Sequence, residues 1–215
     1  MNTVQIVGRS SSHFTRVTLV FAHELGLAVE LLPVFDMTVE TAANYGDNPA
    51  LKMPTLRTPE GLVFGAENIC RTLADLADSA GAPRRVVWPE QLRGRVARNA
   101  QELVWHGMAA QVQLIFGVAV AGLPADNLYF KKCREGFAGA LRWLDAHVPA
   151  VLESLPAPRD VSLFEVTLFC LVEHVATRGT MAMDPYPALL KFADEFRGRP
   201  SAQHTTYRFD VPPAT

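Results

Sequence analysis

The sequence predicts an α/β domain at residues 1–78 and an all-helical domain at 90–215. Three observations carry that prediction. Short β-rich runs alternate with helix-periodic stretches up to residue 78. A segment rich in Ala, Gly and Pro, Ser79 to Pro89 (SAGAPRRVVWP), then reads as a linker. Beyond it, apolar residues recur at steps of three and four, the spacing of one helix face.

Taken in order, Thr3 to Val7 is short, β-rich and ended by Gly8, which suits a first strand. Ser10-Ser11-Ser12 precede a helix over His13 to Gly26, where Phe14, Val17, Leu19, Val20, Phe21 and Leu25 form a wide apolar face for packing on a sheet. A serine is a good N-cap and Gly26 a good stop. Val29 to Val34 is a second strand, and Thr38 to Tyr45 a short helix or loop. Thr55-Leu56 and Leu62-Val63-Phe64, joined by the Pro59-Glu60-Gly61 turn, read as a β-hairpin, and Ala66 to Leu76 as the helix after it. The order βαβαββα resembles the thioredoxin fold.

In the second half, Leu92, Val96, Ala100, Leu103, Val104, Met108, Val112 and Ile115 form one long stripe. Leu128, Cys133, Phe137, Leu141, Leu144, Val148 and Val151 form another after a break at Gly122-Leu123-Pro124, so two long helices should pack antiparallel. Ser162-Leu163-Phe164-Glu165 has the spacing of a capping box, and Leu163 to Val175 behind it is apolar almost all round, the signature of a central buried helix. Pro187 to Phe196 predicts one more helix, and Asp210 to Thr215 a frayed end.

Composition sets limits. A formal charge of −2 over 215 residues lacks the basic footprint of a nucleic-acid binder. Cys70, Cys133 and Cys170 are widely spaced, with no CxxC and no metal-ligand spacing, which suits a reduced cytoplasmic setting. Arg9, Ser10 and Ser11 interrupt the N-terminal apolar run, so no signal peptide is expected. The run Leu114 to Ala125 is broken by Gly and Pro and falls short of the roughly 20 residues of a membrane-spanning helix.

The stretch Asn48 to Asn68 (NPALKMPTLRTPEGLVFGAEN) carries the chemistry. Pro54 cannot donate to a ladder, so it belongs at a strand's start. A cis Met53-Pro54 bond would turn the backbone groups of Met53 outward as a docking edge for a peptide-like ligand. Glu67-Asn68 opens a helix, where a carboxylate beside N-terminal amides can grip an amine and a carboxylate together. Met53-Pro54 before the hairpin and Glu67-Asn68 after it resemble the glutathione transferase family, of the serine-type or bacterial kind, and Arg199-Pro200-Ser201 resembles that family's Arg-Pro-Ser tail.

The resemblance implies glutathione as cosubstrate, a small hydrophobic electrophile as second substrate, no metal, and a homodimer. In that family a serine stands five positions before an Arg-Val pair; Arg16-Val17 here points to Ser11, with Ser10 and Ser12 as alternatives. Its hydroxyl would hydrogen-bond the glutathione sulfur and favour the nucleophilic thiolate. The bland reading of the three serines is helix capping. Lys52 would reach the glycyl carboxylate, Met53 and Pro54 the cysteinyl backbone, and Glu67 and Asn68 the γ-glutamyl end. Relatives have Pro where this chain has Ser12 and Ser where it has Asn68. Arg9, Trp105, His106 and Met108 would line the electrophile pocket. Trp105 also fits the helical core, and His106 is either a proton donor or a surface residue. The same scaffold also supports a glutathione-dependent isomerase, peroxidase or dehalogenase, or a binding protein without turnover.

Overall fold

The computed structural model describes residues 4–212. These fall into two compact units: 4–86 with 159–161 and 198–212, and Val87–Pro158 with Ser162–Arg197.

In the first unit, β1 (Val4–Gly8), α1 (His13–Glu24), β2 (Val29–Pro33), β3 (Thr55–Thr58), β4 (Gly61–Phe64) and α2 (Ala66–Ser79) follow the predicted order, with a single 3₁₀ turn at Ala42–Tyr45 within the segment expected to be a short helix or loop. The sheet order is β2-β1-β3-β4. β1 and β2 are parallel, which requires a crossover, and α1 supplies it. β3 and β4 form the hairpin, with Thr58 opposite Gly61 across Pro59-Glu60.

Successive strand residues point to opposite faces. Ile6 and Leu56 are fully buried, as are Val17, Val20, Phe21, Ile69 and Leu73 on the two packed helices. Val7 instead packs with Val34 and Tyr45, and Leu32 and Met53 close that smaller cluster. Gly8 ends β1 at a close approach: a Cβ there would lie 2.5 Å from Thr15 Oγ1, so a side chain would push α1 off the strand.

Residues 198–212 return to this unit, whereas the sequence reading placed everything after the linker in the helical domain. α7 (Pro200–His204) packs on α1. Arg199 Nε and Nη2 donate to the Glu24 carboxylate at 2.8 and 2.5 Å, and Ser201 Oγ donates to it as well. The buried Arg16 donates to Thr205 Oγ1 at 3.4 Å and to the Ala202 carbonyl at 3.1 Å, and lies 4.3 Å from the centre of the Tyr207 ring. Asp210 is likewise bonded, not frayed; residues 213–215 of the expected frayed end, and Thr3 of the first strand, lie outside the described residues. The partners are more than 170 positions apart, so no local pattern reveals them.

Burial pushes the Glu24 carboxyl up, but hydrogen bonds from Arg199 and Ser201 and the Arg199 charge outweigh it and hold the group below its usual range. A depressed carboxyl contributes stability above its unfolded value of about 4.3, lost as pH falls through the folded value. Thermal midpoints from pH 6 to pH 3 should therefore drop more steeply in the wild type than in Glu24→Gln. Parallel slopes would show that the network contributes nothing in solution.

The second unit is helical: α3 (Gly94–Leu114), running on through a π-helical turn at Ile115–Val120, then α4 (Leu128–Ser154), α5 (Leu163–Arg178) and α6 (Pro187–Arg197). α3 packs on α4 and α5, and α6 on α4 and α5. α5 is the buried centre, as its all-round apolar sequence predicts. Gly107 lets three helices meet: a Cβ there would stand 2.9 Å from Leu171 Cδ2 on α5 and 3.1 Å from Phe137 Cε2 on α4. A buried polar pair ties α3 to α5, with Gln101 Nε2 donating to Thr167 Oγ1 at 3.2 Å, and Thr180, just beyond α5, donates from Oγ1 to Oε1 of the buried Gln111 on α3 at 2.8 Å.

The serine half of the expected capping box is not formed. Ser162 is the N-cap of α5, but its hydroxyl makes no capping bond; it is turned into the protein and buried without a partner. The stretch Gly94–Val120 is long and apolar enough by composition to cross a membrane, although no single unbroken run in the sequence suggested it; its buried face packs in the bundle.

Candidate functional site at one end of the sheet

Strand register brings the predicted segments together. Val7 pairs with Thr55, and Thr55 with Phe64. The end of β1, the start of β3 and the end of β4 therefore lie side by side at one end of the sheet. From them emerge, in spatial order, the serine turn, the Met53-Pro54 segment and the start of α2. Strands are about 4.8 Å apart, so the three stations span roughly 10 Å.

The serine turn is closed by Ser12 N–H donating to the Arg9 carbonyl at 3.1 Å. Ser12 is the N-cap of α1, with extended backbone and its Oγ accepting from Thr15 N–H at 3.3 Å. Ser10 is buried, and its N–H and Oγ donate to the Asp210 carboxylate at 2.8 and 2.7 Å. A hydroxyl has one proton to give, so Ser10 is committed to Asp210. Ser11, between them, is half-buried. Arg9 donates its N–H to Thr15 Oγ1 at 3.3 Å, and its side-chain Nε is enclosed without a hydrogen-bond partner among the described residues.

The middle station is held from behind. Asn48, buried, donates from Nδ2 to the Lys52 carbonyl at 2.9 Å and accepts Ala50 N–H at 3.0 Å on Oδ1. Thr55 Oγ1 donates to the Tyr45 carbonyl at 2.8 Å, and Tyr45 OH to the Met37 carbonyl at 2.7 Å. The Met53-Pro54 bond is cis. The Met53 side chain packs into the Val7 cluster, while its backbone N–H and C=O bond no other described residue. Lys52 is exposed.

At the third station α2 begins after Gly65, whose φ of 84° suits glycine and which offers no side-chain cap. The first-turn amides are thus left for another acceptor. Glu67 is half-buried, and its Oε1 accepts from Arg71 Nε and Nη2 at 3.2 and 2.9 Å. The Asn68 side chain is exposed.

The four residues predicted for a second pocket divide between the units. Arg9 is in the first; Trp105, His106 and Met108 are on α3 in the second. Trp105 is partly buried and His106 exposed. Met108 is fully buried. Enclosed in the bundle core, it has no surface to offer a ligand, which corrects its assignment to a pocket lining. Cys70 and Cys170 are buried, and burial pushes the half-buried Cys133 thiol up, away from thiolate chemistry. Among the described residues no cluster of three or more His, Cys, Asp or Glu could hold a metal.

Sequence reasoning missed Asn48 and Asp210. Asn48-Pro49 is a turn signal that could have pointed to the first. Asp210 has no local signal.

Residues 7–82 match the family described as glutathione S-transferase, N-terminal domain. No curated protein matches the sequence. Among solved structures, a glutathione transferase family member from Pseudomonas fluorescens Pf-5 with bound glutathione is similar, at 22% identity and TM-score 0.73 over 96% of this chain and 100% of that one. A glutathione S-transferase from Methylobacterium radiotolerans JCM 2831, in complex with glutathione sulfonate, aligns at 18% identity and TM-score 0.71 over 100% of both chains. A third, from Methylobacillus flagellatus KT with glutathione bound, aligns at 18% identity and TM-score 0.71 over 95% of this chain and 99% of that one. At these identities the likeness is one of fold, and it agrees with the family match of the first domain. Residues 7–82 thus match the N-terminal domain family of glutathione S-transferases, and the chain as a whole shares the fold of these solved structures.

Proposed function

We propose that the protein is a glutathione transferase that joins the glutathione thiolate to a small hydrophobic electrophile. The observation that carries this reading is the alignment along one sheet end of three stations suited to a sulfur, a cysteinyl backbone and a γ-glutamyl end. The cysteinyl backbone pairs with the N–H and C=O of Met53, as an added strand pairs with a sheet edge. Pro54 holds that edge, and Lys52 reaches the glycyl carboxylate. Glu67 takes the γ-glutamyl ammonium, and Asn68 with the uncapped α2 amides takes its carboxylate. Bound glutathione in the similar Pseudomonas fluorescens structure supports the ligand class.

At the other end, Ser11 donates to the sulfur. Ser11 stands five positions before the Arg16-Val17 pair, at the start of the turn that leads into α1. Its hydrogen bond stabilises the thiolate, the thiol proton passes to solvent, and the sulfur forms a bond to carbon. With an aromatic halide the halide leaves with its electron pair. Arg9, Trp105 and His106 are the candidates for contacts with that electrophile. The reading includes a cytoplasmic homodimer working in detoxification.

Calorimetric titration with glutathione, followed by thioether formation from an aromatic halide, tests the proposal. Saturable heat with turnover is expected. No heat at millimolar glutathione would overturn it. Heat with turnover only of a cis-enone or a hydroperoxide would move the reaction to isomerisation or peroxide reduction.

A further inference from the structure

Asp210 lies 200 positions from Ser10 yet takes both of its donors, N–H at 2.8 Å and Oγ at 2.7 Å. Two bonds to one residue fix its backbone and its side-chain rotamer together, and charge-assisted bonds of this kind are short and strong. Asp210 is itself held in place, because the segment that carries it is tied to α1 by Arg199 and Ser201 on Glu24 and by Arg16 on Thr205, Ala202 and Tyr207. α1 is the helix into which the serine turn leads. Turn, helix and returning segment thus close a ring around Ser11.

We propose that Asp210 is a positioning residue: acting through Ser10, it fixes where Ser11 presents its hydroxyl. The proposal rests on the transferase reading. Its sign separates it from a direct charge effect. A carboxylate near a thiolate disfavours the anion, so if charge were its role, removing Asp210 would lower the thiol's pKa. Loss of position raises it, because the sulfur loses a well-placed donor.

The test compares wild type, Asp210→Ala, Asp210→Asn and Ser10→Ala. The readouts are the ultraviolet titration of bound glutathione thiolate, glutathione affinity by calorimetry, and hydrogen exchange at residue 10, which needs no glutathione. In Asp210→Ala the thiolate midpoint should rise by about one unit and kcat fall about tenfold, one unit being a tenfold change in thiolate. Glutathione affinity should stay within about threefold, since its stations lie elsewhere. Asp210→Asn should recover part of the loss, because its amide oxygen still accepts the Ser10 N–H and its NH2 can donate to the Ser10 Oγ in place of accepting from it. Exchange at the Ser10 amide should quicken in Asp210→Ala. Ser10→Ala keeps the N–H bond and should give a smaller shift of the same sign, so it serves if Asp210→Ala does not fold. A midpoint that falls or stays put, an Asn variant as impaired as Ala, or unchanged exchange overturns the proposal while leaving wild-type glutathione binding intact. Wild type that binds no glutathione overturns the transferase reading first, and the proposal with it.

Discussion

Replacing Ser11 by Ala should lower turnover about 10- to 100-fold and leave glutathione affinity within a few-fold. A hydrogen bond to a charged group is worth about 1.5–3 kcal/mol, and each 1.36 kcal/mol is one pKa unit. The bound thiol's pKa should therefore rise by about one to two units, moving the acid limb of the pH–rate profile upward by the same amount. At high pH, where the thiolate forms without help, the variant should recover much of its rate. The substitution leaves the Ser12 N-cap of α1 and the Ser10 bonds to Asp210 in place. An unchanged profile would transfer the role to Ser12, whose oxygen accepts from Thr15 N–H but whose own proton remains available to a ligand.

Glu67→Gln should weaken glutathione binding about tenfold or more with little change in turnover at saturation. The substitution removes the charge that faces the ammonium, again a loss of about 1.5–3 kcal/mol. It also removes the Glu67–Arg71 ion pair at 2.9 Å. That pair is an i,i+4 contact between partly exposed groups, worth about 0.3–0.5 kcal/mol. The binding loss is thus several times the stability loss, and a calorimetric Kd beside a thermal midpoint separates them. If turnover falls while the Kd holds, Glu67 acts elsewhere than at the amino end.

The first unit was legible because its signals are local. Gly8 and Gly26 punctuate strand and helix, Pro59-Glu60 sets the hairpin, and a proline that cannot donate to a ladder marks the start of β3. Strand order then carries these separate motifs to one sheet end. α5 was legible for a different reason: a helix apolar all round has nowhere to sit but the middle of a bundle. What stayed hidden is long-range or rotameric. The link from Asp210 to Ser10 and that from Arg199 to Glu24 join residues with no shared periodicity. Met108 reads from its place on the apolar stripe as facing inward, but that α4 and α5 cover α3 there so completely rests on chain far from it in sequence. The Ser162-Glu165 spacing permits a cap, but spacing does not choose the hydroxyl's rotamer, and the hydroxyl turns inward.

Residues 198–212 belong with a sheet whose last strand ends at Phe64. On the ribosome the first unit must therefore wait: its strands and two helices emerge early, yet the residues that grip α1 from outside arrive only after the whole bundle has been made. Assembly is consequently bracketed rather than sequential, and the serine turn gains its final tether as one of the last steps of maturation.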